Sequence, residues 1–141
     1  MADLDAPEIT LCRTIAGMLH AAELGIYQAT GAYSKTEHGI IIDGDLPTTI
    51  DNCTVIIPET PLADGSSDML YRVQLLTRIK GRLPVVRARA HRIFELFDHR
   101  EYTPNILGIS WTEEYSRLYF TADTQGRGMV AQNFQFRGRR Q

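Results

Sequence analysis

Residues 69–80, MLYRVQLLTRIK, alternate in character along their length. Tyr71, Val73, Leu75, Thr77 and Ile79 fall on one side, and Arg72, Gln74, Arg78 and Lys80 fall on the other. A period of two is the pleat of a β-strand with one buried and one half-solvated face. A strand of this length and polarity belongs to an antiparallel or mixed sheet covered by helices on one side.

Downstream, Gly81-Arg82-Leu83-Pro84 breaks the strand, and Val85 to Asp98 takes up helical spacing through Val86, Ala90, Ile93, Phe94 and Phe97. Arg87, Arg89 and Arg92 leave that apolar stripe. Residues 106–111, 117–122 and 129–137 read as three further strands, the last two joined by a glycine-bearing hairpin loop, Asp123 to Gly128. Upstream, residues 59–68, ETPLADGSSD, read as a polar loop, mobile until assembly. Before it stand two short β-branched runs, His38–Asp43 and Cys53–Pro58, separated by the turn residues Asp43-Gly-Asp-Leu-Pro47. A Gly-, Ser- and Thr-bearing linker, Thr30 to Lys35, leads back to an amphipathic helix from Pro7 to about Tyr27. Pro7 suits its first turn, Glu8 its dipole, and Gly25 its C-terminal stop. The order predicts one α+β domain over residues 1–141, a mixed, mainly antiparallel sheet with two helices packed on one face.

The chain has 141 residues, 43% hydrophobic and 23% charged, so one core needs neither metal nor disulfide staples. Cys12 and Cys53 lie in apolar settings without CxxC spacing and read as buried thiols of a reducing compartment. No long apolar run and no basic, apolar leader is present, which predicts a protein made and kept in the cytoplasm unless a larger particle carries it out. A net charge of −2 argues against coating nucleic acid with the whole surface. The charge is nevertheless segregated. Acids dominate residues 1–68, arginines crowd residues 72–100, and Arg137, Arg139 and Arg140 form a basic tail over residues 137–141. Such polarity can orient neighbours or attract an anion, and any single arginine reads equally as part of a solvated basic face or a frayed tail.

Motifs for catalysis are thin. His20, His38, His91 and His99 form no HExxH pattern, and an enzyme would have to use His91 or His99 with Asp98 or Glu95. Asp43, Asp45 and Asp51 supply oxygen ligands without the EF-hand pattern, so they read as turn chemistry and no cofactor or metal is expected. Glu113 and Glu114 are strand neighbours that face opposite sides, a poor acid and base pair. GxSxG, GxxxxGK[ST] and strand-linked GxGxxG motifs are missing. Phe134 and Phe136 share the face of Val130, an alternation that fits a core role as well as a docking one.

Several local patterns together resemble the tail terminator proteins of long-tailed bacteriophages, also labelled minor capsid or minor tail proteins. They are the N-terminal amphipathic helix, the strand Tyr71-Arg-Val-Gln-Leu-Leu-Thr-Arg78, the helix with Ala90, Ile93 and Phe97, Gly126-Arg127, and the late strand Asn133-Phe-Gln-Phe-Arg137. The resemblance spans nearly the whole chain. It implies a structural virion protein without catalytic residues, a hexameric ring that caps the tail tube, stops tube polymerisation and presents a surface to the head-side connector or stopper protein. DNA would pass through its channel without sequence-specific binding, and no membrane is involved. The expected contacts are a sheet edge, the 59–68 loop and the basic tail, with Asp64, Asp68, Arg72, Arg78, Lys80, Phe136, Arg137, Arg139 and Arg140 as interface residues. The alternative is a head-completion, stopper or other connector adaptor protein.

Overall fold

The computed structural model describes residues 5–28 and 32–141; Met1–Leu4 and Ala29–Gly31, which take in part of the expected acidic start and linker, lie outside them. In chain order the elements are α1 (Pro7–Ala21), β1 (Ile26–Tyr27), β2 (Gly39–Ile42), β3 (Cys53–Pro58), β4 (Leu62–Asp64), β5 (Asp68–Lys80), α2 (Leu83–Phe97), β6 (Arg100–Glu101), β7 (Trp111–Phe120) and β8 (Arg127–Arg139). The strands form a mixed, mainly antiparallel sheet in the order β1-β2-β3-β5-β8-β7-β6, with β4 beside the start of β5. This is an α+β fold.

The alternation in residues 69–80 does what a period of two requires. Tyr71, Val73 and Leu75 are buried with Leu11, Ile15 and Leu19 of α1 and with Ile93 and Phe97 of α2. Phe97 lies edge-on to Phe134 at 5.4 Å and to Phe136 at 6.2 Å, an arrangement favoured by the ring quadrupoles. Ile79, Val86, Ala90 and Val130 make a second cluster under the start of α2. Helix α1 packs over β1, β2 and β3, and α2 over β5, β8 and β7. The two helices are tied where α1 ends: Arg89 of α2 donates to the Leu24 carbonyl at 2.7 Å and Arg92 to that of Ala22. Cations there also suit the negative end of the helix dipole.

Helix α1 stops at Ala21, short of Tyr27, because Glu23 takes the left-handed turn (φ 60°) and the Leu24 N–H bonds back to the Leu19 carbonyl. Gly25 serves close approach and not the stop: a Cβ there would lie 2.8 Å from Ile40.

β2 and β3 are parallel neighbours. The Asp43–Pro47 turn therefore opens a crossover and not a hairpin, since parallel strands need a connection that passes over the sheet. Residues 43–52 cross the face opposite the helices, where Arg78 gathers the carbonyls of Pro47, Ile50 and Asp51.

Within the predicted 59–68 loop, β4 pairs with the start of β5 as a hairpin. The predicted strand 106–111 is instead an irregular segment, with Leu107 at φ 55° and Gly108 at φ 63°, bonded to the end of β8 through the Leu107 carbonyl and the Arg139 N–H. Its apolar residues mimic a strand because Ile109 is buried in the core. β7 starts at Trp111 and absorbs most of the 117–122 strand. β8 runs on to Arg139, so Arg137 and Arg139 of the expected tail are ladder residues opposite Leu70 and Asp68. The β7–β8 turn is held as its composition suggested: the Asp123 carboxylate accepts the N–H groups of Gln125 and Arg127, bonds that lower its pKa, and Gly126 adopts φ 73°.

Candidate functional site

Directly opposed residues share a face, so the register traces rows across the sheet. On the face away from the helices, Ile41, Val55, Leu76, Ala131 and Leu118 form one apolar row through β2, β3, β5, β8 and β7. The neighbouring row is Cys53, Arg78, Met129 and Phe120. At the β3 side these rows lie under the crossover, and Val55 is 1% exposed. At the β7 side Leu118 is 58% and Phe120 40% exposed. Leu83 and Val85, at the start of α2, are also exposed, and a small, mainly apolar recess of about 220 Å³ lies between Leu83, Phe120 and Gly128.

β7 is also bare along its side. β6 pairs only with Trp111 and Thr112. Beyond them the Glu114 N–H is taken by the Asp98 carboxylate, and the register slips at Tyr115 in a bulge. From Ser116 to Phe120 no strand among the described residues pairs with the outer side of β7. Bulges and charges blunt a sheet edge, and here the bulge and the charges stand at residues 113–117, short of Leu118 to Phe120. Arg117 belongs to that guard. It makes a two-pronged bond to Glu114 at 2.5 and 2.9 Å, which raises its already high pKa.

A second polar feature lies between the helices and β2. The His38 ring bonds Thr54 Oγ1 at 2.8 Å through Nε2 and receives an Arg89 N–H at Nδ1, at 3.1 Å. Thr54 Oγ1 in turn meets Thr77 Oγ1 at 3.1 Å. Burial, helped by the Arg89 charge, lowers the His38 pKa to about 3, so the ring is neutral at pH 7. His20, Glu23, Glu37 and Arg89 also line this cleft of about 470 Å³. The partners of His38 lie 16 and 51 residues away in sequence, which hides the relay from any local motif.

The residues expected at an interface separate into groups. Asp64 and Asp68 both pair with Arg137, at 2.5 and 3.5 Å, and the Arg140 N–H reaches the Ser67 carbonyl, so with Arg139 these five residues gather at the β4 hairpin end. Arg72 donates to Gln135 at 3.1 Å and lies over the Tyr115 ring on the helix-free face. Lys80 is exposed at the other end of β5, 3.9 Å from the Asp51 carboxylate. Two expectations fail. Arg78 is 5% exposed and holds the crossover through three carbonyls, and Phe136 is 1% exposed against Phe97 and Tyr71, so neither side chain is available to a neighbour. The reading of the sequence missed Leu118 and Phe120. Their signal was the alternation of Leu118 and Phe120 with Arg117 and Tyr119, apolar where a solvated face requires polar residues.

His91 and His99 make surface pairs with Glu95 and Asp98 at 3.3 and 2.6 Å. Among the described residues no three His, Cys, Asp or Glu side chains converge as a metal set, and no described helix is long and apolar enough to cross a membrane. Burial pushes the Cys12 thiol up to about 12, with Asp43 and Glu8 adding to it, so the thiolate is suppressed. No protein-family profile matches the chain, and no curated protein matches it either.

Proposed function

We propose that this chain is a structural subunit that acts by assembly: a tail terminator whose copies close into a hexameric ring on the end of a phage tail tube. The observation that supports it is the bare side of β7, where an unpaired backbone edge adjoins exposed Leu118 and Phe120. A folded monomer manages such an edge by covering it, and an unguarded one invites another chain. In this reading each subunit contacts the next through unlike surfaces, and six such heterologous contacts close under rotation. The β4 hairpin with Arg139 and Arg140 faces along the ring axis toward the tube or the head-side connector. The ring works sterically, covering the binding face of the last tube subunit, and no bond is made or broken. DNA passes through the channel without sequence-specific contacts. The protein is assembled in the host cytoplasm and resides in the virion, at the head-proximal end of the tail.

The test is polymerising tail tube protein with and without the purified chain, followed by electron microscopy and light scattering. Rings at one tube end, together with arrest of elongation, are expected. Tubes that elongate unaltered, with the chain left unbound, overturn the reading.

A further inference from the structure

Unpaired exposed charges of opposite sign stand at two corners of the sheet. Around β1 and β2 stand Glu23, Glu37, Asp43 and Asp45, of which Glu23, Asp43 and Asp45 are exposed, and none forms a salt bridge among the described residues. Arg89, which lines the same cleft as Glu23 and Glu37, and Arg92 are the cations on that side, so Asp43 and Asp45 are the acids farther along the chain from them. At the other corner, Arg82 and Arg87 are exposed on and beside α2, again without a carboxylate partner among the described residues. The Arg87 guanidinium lies 4.3 Å from the centre of the Tyr119 ring on β7. Beside the bare part of β7 the unpaired charges are thus Arg82 and Arg87, the acids Glu113 and Glu114 standing farther back on the strand, whereas Asp43 and Asp45 follow β2 on the other side of the sheet.

We infer that the bare β7 edge and its Leu118–Phe120 patch are the docking surface for the β1–β2 end of a second copy of this chain, at the corner that carries Asp43 and Asp45. The assignment rests on the assembly reading above and names its contact. Pairing β7 with β7 across a two-fold axis would bring the Arg87 side chains of both copies to the same interface. Pairing β7 with the opposite end of the next copy sets Arg82 and Arg87 against Asp43 and Asp45, and leaves the acceptor and donor ends free to repeat the contact. The apolar side chains supply the desolvated centre and the charges supply register and orientation.

The experiment is light scattering of the full chain over a concentration series, up to about 1 mM, where a contact of only about −4 kcal/mol is half formed. The variants are Leu118→Lys, Arg87→Glu, Asp45→Lys and the combined Arg87→Glu/Asp45→Lys chain, each checked for a wild-type circular dichroism spectrum. The single changes are expected to raise the concentration for half assembly by about tenfold or more, since one like-charge juxtaposition costs a kcal/mol or more. The combined exchange is expected to restore much of the loss, which a merely destabilised fold would not do. Added salt is expected to weaken wild-type association. Wild-type association that ignores all the single changes, or a combined variant as poor as the sum of its parts, overturns this contact while tube arrest, if observed, leaves the terminator reading standing. A wild-type chain that stays monomeric to about 1 mM overturns the contact outright.

Discussion

One apolar row of the sheet meets two different fates. At the β3 end, Val55 is sealed beneath the 43–52 crossover, which Arg78 ties down through the carbonyls of Pro47, Ile50 and Asp51. At the β7 end the same row finishes at Leu118, exposed and next to an unpaired backbone edge. Both ends have the alternation of a strand, so the difference comes from what the chain lays over them. An arginine spent on backbone carbonyls makes the first end intrinsic to the fold. At the second end no described residue covers Leu118 in this way.

The largest expected effect tests whether the half with the bare edge is otherwise firmly built. Phe97→Ala removes a fully buried ring from between Phe134 and Phe136 and is expected to cost about 3–5 kcal/mol in urea unfolding. A loss below about 1 kcal/mol would mean that this half is loosely packed and that its exposed face reflects poor order.

Next comes the sealed end. Arg78→Met keeps the stem but strips the donors from three carbonyls, and a loss of about 2–4 kcal/mol is expected, with faster hydrogen exchange confined to residues 43–52. An unchanged exchange pattern there would show that the crossover is held by other contacts.

The His38 relay sharpens the same contrast through pH. Its pKa falls from 6.5 to about 3 on folding, so between these values the unfolded chain binds a proton that the folded one refuses. Its contribution is therefore complete above pH 6.5 and lost as the pH drops, with a slope of at most about 1.4 kcal/mol per pH unit. Unfolding of His38→Gln is expected to show a shallower loss between pH 6 and 4 than the wild type, and parallel curves would refute the relay.

The smallest effect is the most telling. Leu118→Lys is expected to change monomer stability by less than about 0.5 kcal/mol, because the side chain is already mostly in water. A cost of 2 kcal/mol or more would place Leu118 in the monomer's own core and erase the difference between the two ends.

How much of this was legible follows from the range of the interactions. Strand β5, helix α2, β3 and the β7–β8 turn announce themselves because burial along one strand or helix repeats at fixed spacing, and because Asp123 and Gly126 carry turn chemistry locally. The irregular segment before Trp111 was misread, since burial of Ile109 looks the same in a loop as in a strand. Of the candidate contact residues, the Asp64, Asp68 and Arg137 cluster arises from three strands, β4, β5 and β8, whose pairing the sequence did not specify.

By itself, then, the sequence determined the α+β class, the inward faces of its long strands and the segregation of its charges, because each is written in local spacing or composition. Only the tertiary structure decided that β2 and β3 run parallel, that Arg78 and Phe136 are spent inside the fold, and that the later part of β7 is left bare with Leu118 and Phe120 exposed. Those outcomes depend on which strands pair and what crosses over them, and residues dozens of positions apart carry no local record of meeting.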